Sequence, residues 1–152
     1  MTATPGPTPG LDGTPHQATC VMVAGRAVLI EGRPGAGKSS LALALIDRGA
    51  VLVGDDGVLL HSDGTALFAS PHPRIAGKLE VRNLGIIDMP SVAAAPVALV
   101  LALDEGAPRY VSGAETAIRA GVPLPLIRLW PESPVLALRA ELALGQFGLA
   151  VD

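Results

Sequence analysis

Cysteine and aromatic residues are scarce in this chain, and basic residues nowhere cluster. Cys20 is the single cysteine among 152 residues. An intramolecular disulfide framework is therefore excluded, and a reducing compartment is favoured. Only 3% of the residues are aromatic, whereas 49% are hydrophobic, so the core has to be built from Ala, Val, Leu and Ile. Charged residues make up 16% and the formal net charge is −3, with no run of Lys and Arg. Nucleic acid is accordingly not expected as a partner. The longest apolar run, PVALVLAL at 96–103, is far short of the ~20 residues that cross a bilayer and fits a buried strand instead. No membrane partner is expected. The opening segment, MTATPGPTPGLDGTPHQ, has neither the basic nor the apolar region of a secretory leader, so a soluble cytoplasmic protein is expected. No Cys/His group has zinc spacing.

Glycine and proline, by contrast, are plentiful, at 18 and 14 residues. Residues 1–15 are rich in Thr, Pro and Gly with almost no apolar bulk, and read as a disordered tail. Residues 16–152 read as one domain. TCVMVA (19–24) and AVLIEG (27–32) read as two strands joined at Gly25-Arg26. KSSLALALIDRG (38–49) reads as a helix, apolar on most sides and closed by a left-handed Gly49. VLVG (51–54) is a strand, and VLLHSDGTALFA (58–69) a hairpin turning at Ser62-Asp63-Gly64. An extended segment is expected around Leu79–Arg82, and buried strands at 97–103 and 123–130. Residues 134–145 read as a closing helix with Ser133 as N-cap and Pro134 in the first turn. Residues 104–122 read as a helix with a long lead-in or a flap that closes over substrate. Trp130 is expected in the core or at an interface. The alternation predicts an α/β fold with a mixed sheet and flanking helices.

Two stretches carry chemistry. Residues 32–39, GRPGAGKS, match G-x-x-x-x-G-K-[ST] between a strand and a helix. Glycines at these positions let backbone N–H groups converge on phosphate oxygens, and the helix N-terminus adds partial positive charge. The nucleotide-binding segment is thus Gly32, Arg33, Pro34, Gly35, Ala36, Gly37, Lys38, Ser39 and Ser40. Lys38 is assigned to the β and γ phosphates of ATP, and the Ser39 hydroxyl to Mg2+. The second stretch is Asp55-Asp56 in VLVGDDGVLL, an acidic pair inside an apolar run. Two carboxylates there are costly unless something pairs with them. They end the strand after the loop's helix, where ligands bind in open α/β sheets. Neighbours on a strand face opposite ways, so that one addresses the metal and the other the acceptor, whereas a bend at Gly57 would let both point into the site. Asp55 is assigned to the metal and Asp56 to the proton of the attacking hydroxyl.

With these residues in place, LIEGRPGAGKSSLALALIDRGAVLVGDDGV resembles the bacterial HPr kinase/phosphorylase family, and IAGKLEVRNLGIID resembles that family's signature, usually close to LEIRGLGI. The similarity runs from about residue 16 to 103 and points to the short form that keeps only the catalytic domain. The resemblance implies a P-loop (Walker A) kinase that uses ATP and Mg2+ to phosphorylate a serine of the phosphocarrier HPr. Family members also remove that phosphate, using inorganic phosphate, and often assemble as hexamers, so a homo-oligomer is implied. It further implies that Glu80 organises metal or substrate, that Arg82 steadies the transferring phosphoryl group, and that His16 stands near the family's catalytic histidine, with Gln17 at the counted place. Asn83 stands where the family has glycine. Glu132 makes the loop after the last core strand less cationic, Arg128 being retained nearby, which counts against phosphorylase activity. Two other readings are a P-loop kinase of a small hydroxylated molecule and a non-catalytic nucleotide-binding regulator.

Overall fold

A computed structural model of the chain describes residues 13–151. Most of the tail, residues 1–12, lies outside them. Its last residues do not: Thr14–His16 form β1, paired antiparallel with β5, Val58–Ser62. The domain therefore starts earlier than composition suggests, because a Pro at an edge strand leaves no central ladder bond unmade.

The expected hairpin is β2 (Thr19–Val23) and β3 (Arg26–Glu31), antiparallel in register Thr19↔Ile30 through Val23↔Arg26. Next come α1 (Lys38–Asp47), β4 (Val51–Gly54) and the hairpin of β5 with β6 (Leu67–Pro71). β7 (Lys78–Val81) and β8 (Gly85–Asp88) form a separate two-stranded sheet. Asn83 turns this hairpin at φ 74°, a left-handed conformation that Asn tolerates, so glycine is not needed there. The long central β9 (Ala95–Leu103) runs parallel to β3 on one side. On its other side it pairs antiparallel with β6 through its first residues, and parallel with β11 (Val122–Leu129) through its last. Helix α2 (Leu136–Phe147) closes the chain.

The nine-stranded sheet is mixed, as expected, and its two faces bury different residues of the same strands. Val28 and Ile30 join Leu41 and Leu45 of α1 and Ala140 and Leu144 of α2 on one face. Ala27 and Leu29 pack on the other, against Val58, Leu60 and Leu124. Both helices thus cover one face, and strands that curl over close the other. Full burial of each Leu or Ile contributes about 1.5–3 kcal/mol, so a nearly aromatic-free core suffices.

Three sequence expectations change. Residues 104–122 hold no helix: Glu115–Arg119 is β10, antiparallel to β11. Alternating polar and apolar residues favour a strand as soon as a partner lies alongside. Helix α2 begins at Leu136 with Val135 as N-cap, and Ser133 Oγ instead accepts from Val135 N at 3.1 Å. Helix α1 buries Leu41, Ala42 and Leu45 but leaves Ala44 exposed, so it is less enclosed than its composition predicts. Gly49 does end it, at φ 109°.

Candidate active site

The loop between β3 and α1 has the shape of an anion cradle. Gly35 and Gly37 sit at φ 82° and 104°, where a side chain would be strained. Gly37 is the N-cap of α1, no side chain caps it, and no acidic residue lies in the first turn. The orphan N–H groups and the positive end of the helix are thus left for a ligand. Lys38 Nζ folds back to donate to the carbonyls of Gly32 (3.0 Å) and Arg33 (3.1 Å), which holds the ammonium over the loop.

The aspartate pair lies in the bend just beyond β4, and its two side chains part there. Asp55 is buried, and among the described residues it is the one buried carboxylate. Its Oδ1 accepts from Ser39 Oγ at 2.6 Å and Thr19 Oγ1 at 3.0 Å, and its Oδ2 accepts from Glu80 N at 2.9 Å. Asp55 therefore ties β2, α1 and β7 together beneath the loop. Asp56 is exposed, at φ 57°, a left-handed conformation held by the turn. Backbone strain of this kind persists where surrounding structure over-determines it. Gly54 lets the turn close: a Cβ there would meet Gly57 O at 2.8 Å.

Lys38, Ser39, Asp56, Glu80 and Arg82 line one cavity of about 210 Å3, together with Thr19 and the loop. A larger one of about 710 Å3 adjoins it across Gly35, Gly37 and Arg82. The donors suit Mg2+. Ser39 Oγ and Asp55 Oδ1 are hard oxygens already in contact, and Glu80 lies alongside. Among the described residues no group of three His, Cys, Asp or Glu forms a metal cage. Mg2+ does not need one, because it is commonly held by one or two carboxylates plus substrate phosphates and water.

His16 and Arg128 line neither cavity. His16 Nε2 lies 2.7 Å from Glu31 Oε2, just upstream of the loop. Arg119 Nε and Nη2 donate to Glu31 at 2.9 and 2.7 Å, which makes Glu31 a junction of β1, β3 and β10. Arg128 is held by Glu115 at 2.8 and 3.1 Å and by Asp104 at 3.3 Å, so its charge is already compensated. Trp130 is partly exposed, with Nε1 donating to Ala107 O at 2.7 Å. Thr19, Glu31 and Arg119 were not singled out by sequence. Only a strand-pairing register links Thr19 to the site, and nothing local links Arg119.

Burial pushes the Glu31 carboxyl up, but the bonds from Arg119 and then His16 outweigh it and hold it at about 2, against an ordinary 4.5. A depressed carboxyl stabilises the fold above its unfolded pKa, and that contribution fades as pH falls. Wild type should thus lose stability between about pH 4.5 and 2 through this group. Glu31→Gln should be less stable at pH 7 and show a flatter acid limb, read by denaturant titration across that range. Parallel curves for the two proteins would exclude the role.

Comparison with known proteins follows the same residues. The family model described as HPr serine kinase C-terminal domain matches residues 12–95. An HPr kinase/phosphorylase of Clostridium botulinum (strain Eklund 17B / Type B) is 51% identical over 70 residues, 45% of this chain and 23% of that protein. One from Lacticaseibacillus casei (strain BL23) is 34% identical over 120 residues, 70% of this chain and 38% of that protein. The chain thus spans 23% to 38% of these relatives' length. The solved structure of the HPr(Ser) kinase/phosphatase from Coxiella burnetii is similar with a TM-score of 0.77 at 28% identity, over 87% of this chain and 94% of that one. The loop, the acidic pair and the β7–β8 hairpin all lie within the matched segment, and the chain belongs to the HPr serine kinase C-terminal domain family.

Proposed function

We propose that this protein is an ATP- and Mg2+-dependent kinase that phosphorylates a serine of an HPr-type phosphocarrier in the cytoplasm. One observation carries the reading: Lys38, Ser39 and Asp56 face a single cavity, with Asp55 bonded to Ser39 beneath it. The loop amides and Lys38 hold the phosphates, so that the terminal phosphoryl group faces Asp56. Asp56 takes the proton from the serine hydroxyl as that oxygen attacks phosphorus. Arg82, where the two cavities meet, has no ion-pair partner among the described residues and offsets charge on the phosphoryl oxygens. Ser39 and Asp55 hold Mg2+, with Glu80 beside them, and the ion when bound neutralises phosphate charge. His16 acts at one remove, by fixing Glu31 at the root of the loop.

A protein acceptor is favoured over a small alcohol by the β7–β8 hairpin. Glu80 and Arg82 face the cavity, while Leu84 and Ile86 stand 74% and 63% exposed beside them. Large apolar side chains at the rim of a polar site suit a macromolecular partner. The reading includes a homo-oligomer, with Leu138 and Leu142 exposed on the outer face of α2. It does not include phosphorylase activity, since Glu132 faces the larger cavity where a cation would favour inorganic phosphate. The test is the purified protein with MgATP and HPr, read by intact mass. Addition of one phosphoryl group at a serine is expected. An unmodified HPr beside phosphorylated serine, glycerol or sugar would transfer the assignment to a small-molecule kinase.

A further inference from the structure

The two cavities that meet at the phosphate loop are chemically unlike. The smaller holds Lys38, Asp56 and Glu80, the groups that face a transferring phosphoryl. The larger, with about 710 Å3, is the one roomy enough for a nucleoside, and apolar walls come from Leu103 and Pro131. Its acids are Asp104, Glu105 and Glu132. Two of the three are already engaged. Asp104 accepts from Gly106 N at 2.8 Å and from Arg128 at 3.3 Å, and Glu105 accepts from Arg33 at 3.0 Å across the mouth. Glu132 has no hydrogen bond or ion pair among the described residues, although it follows a loop anchored by Trp130 Nε1 on Ala107 O.

An uncommitted carboxylate repels phosphate and accepts from hydroxyl donors. On the ATP reading above, the nucleotide must lie with its phosphates at Lys38 and its nucleoside away from them. We infer that the larger cavity takes the nucleoside and that Glu132 accepts hydrogen bonds from the ribose hydroxyls, so that this carboxylate orients ATP on the loop and selects ribonucleotides. The proposal rests on cavity continuity across Gly35, Gly37 and Arg82, together with the one free acid facing it.

The experiment measures affinity by calorimetry for three magnesium complexes: ATP, 2′,3′-dideoxy-ATP and tripolyphosphate. Wild type is expected to bind ATP about tenfold more tightly than the dideoxy analogue, the effect of a hydrogen bond to a charged acceptor. In Glu132→Ala that ratio falls to about one, while tripolyphosphate binds as before, which also shows that the loop remains folded. A ratio unchanged by the substitution, or absent from wild type, overturns the role of Glu132 and leaves the phosphate loop standing. Failure of all three complexes to bind wild type overturns the ATP reading itself.

Discussion

Replacing Asp56 by Asn is expected to slow phosphoryl transfer by about a hundredfold to ten-thousandfold, the usual contribution of a positioned base. The nucleotide should bind almost as before. Asp56 is exposed, and its side chain forms no hydrogen bond or ion pair among the described residues, so the fold does not depend on its charge. Its backbone N–H, which reaches Thr19 Oγ1 at 3.4 Å, is unaffected by the change. Asn tolerates the left-handed φ of 57° at least as well as Asp. Size, conformation and the neighbouring Lys38 are all retained, and only the ability to take a proton is lost. Three measurements decide: the rate of HPr phosphorylation, the affinity for MgATP and the thermal midpoint. A slow variant with wild-type affinity and midpoint bears out the role. A wild-type rate would dismiss it, and a parallel loss of affinity would move Asp56 from proton transfer to nucleotide binding.

The pairing of two acids next to the loop's helix is legible in the sequence, but the way they divide does not follow from strand alternation. β4 ends at Gly54 and Asp56 turns at φ 57°, so a bend, not an extended strand, sends one acid into the interior and the other to the cavity. The loop is legible because its pattern is local. Its eight residues, the strand before it and the helix after it are contiguous, so pattern and structure coincide. What escaped depends on contacts between distant segments. Thr19 reaches Asp55 only because β2 pairs with β4, with a bulge between Cys20 and Val21. Arg119 reaches Glu31 across 88 residues, and nothing near either one announces the pair. The same cause underlies the error at 104–122, where β10 forms by pairing with β11 rather than from its own propensity. His16 illustrates the reverse case. The residue was noticed, but Glu31 holds its ring away from the cavity, a partner that resemblance alone does not supply.

Asp55 should behave differently from Asp56, and two substitutions separate its tasks. In Asp55→Asn, the amide oxygen can keep the bond from Glu80 N, a fixed donor, while the amide N–H groups turn to Ser39 and Thr19. Both hydroxyls can rotate to accept, so the buried site remains satisfied and stability falls by only about 1 kcal/mol. The negative charge is gone, however, and a Ser39 lone pair now meets an N–H group instead of facing a cation. Affinity for ATP should therefore no longer rise when Mg2+ is added, and transfer should fall to background. Asp55→Ala removes the acceptor altogether. Glu80 N–H, Ser39 and Thr19 then lose their shared acceptor, a cavity opens where the carboxylate was, and the fold should lose roughly 2–4 kcal/mol. Denaturant titration reads the stability of both variants, and calorimetry with and without Mg2+ reads the metal dependence of the Asn form. If Asp55→Asn keeps a wild-type response to Mg2+, the carboxylate is a structural brace only and the metal sits elsewhere. If Asp55→Ala is as stable as wild type, the three bonds converging on Asp55 do not hold β2, α1 and β7 together.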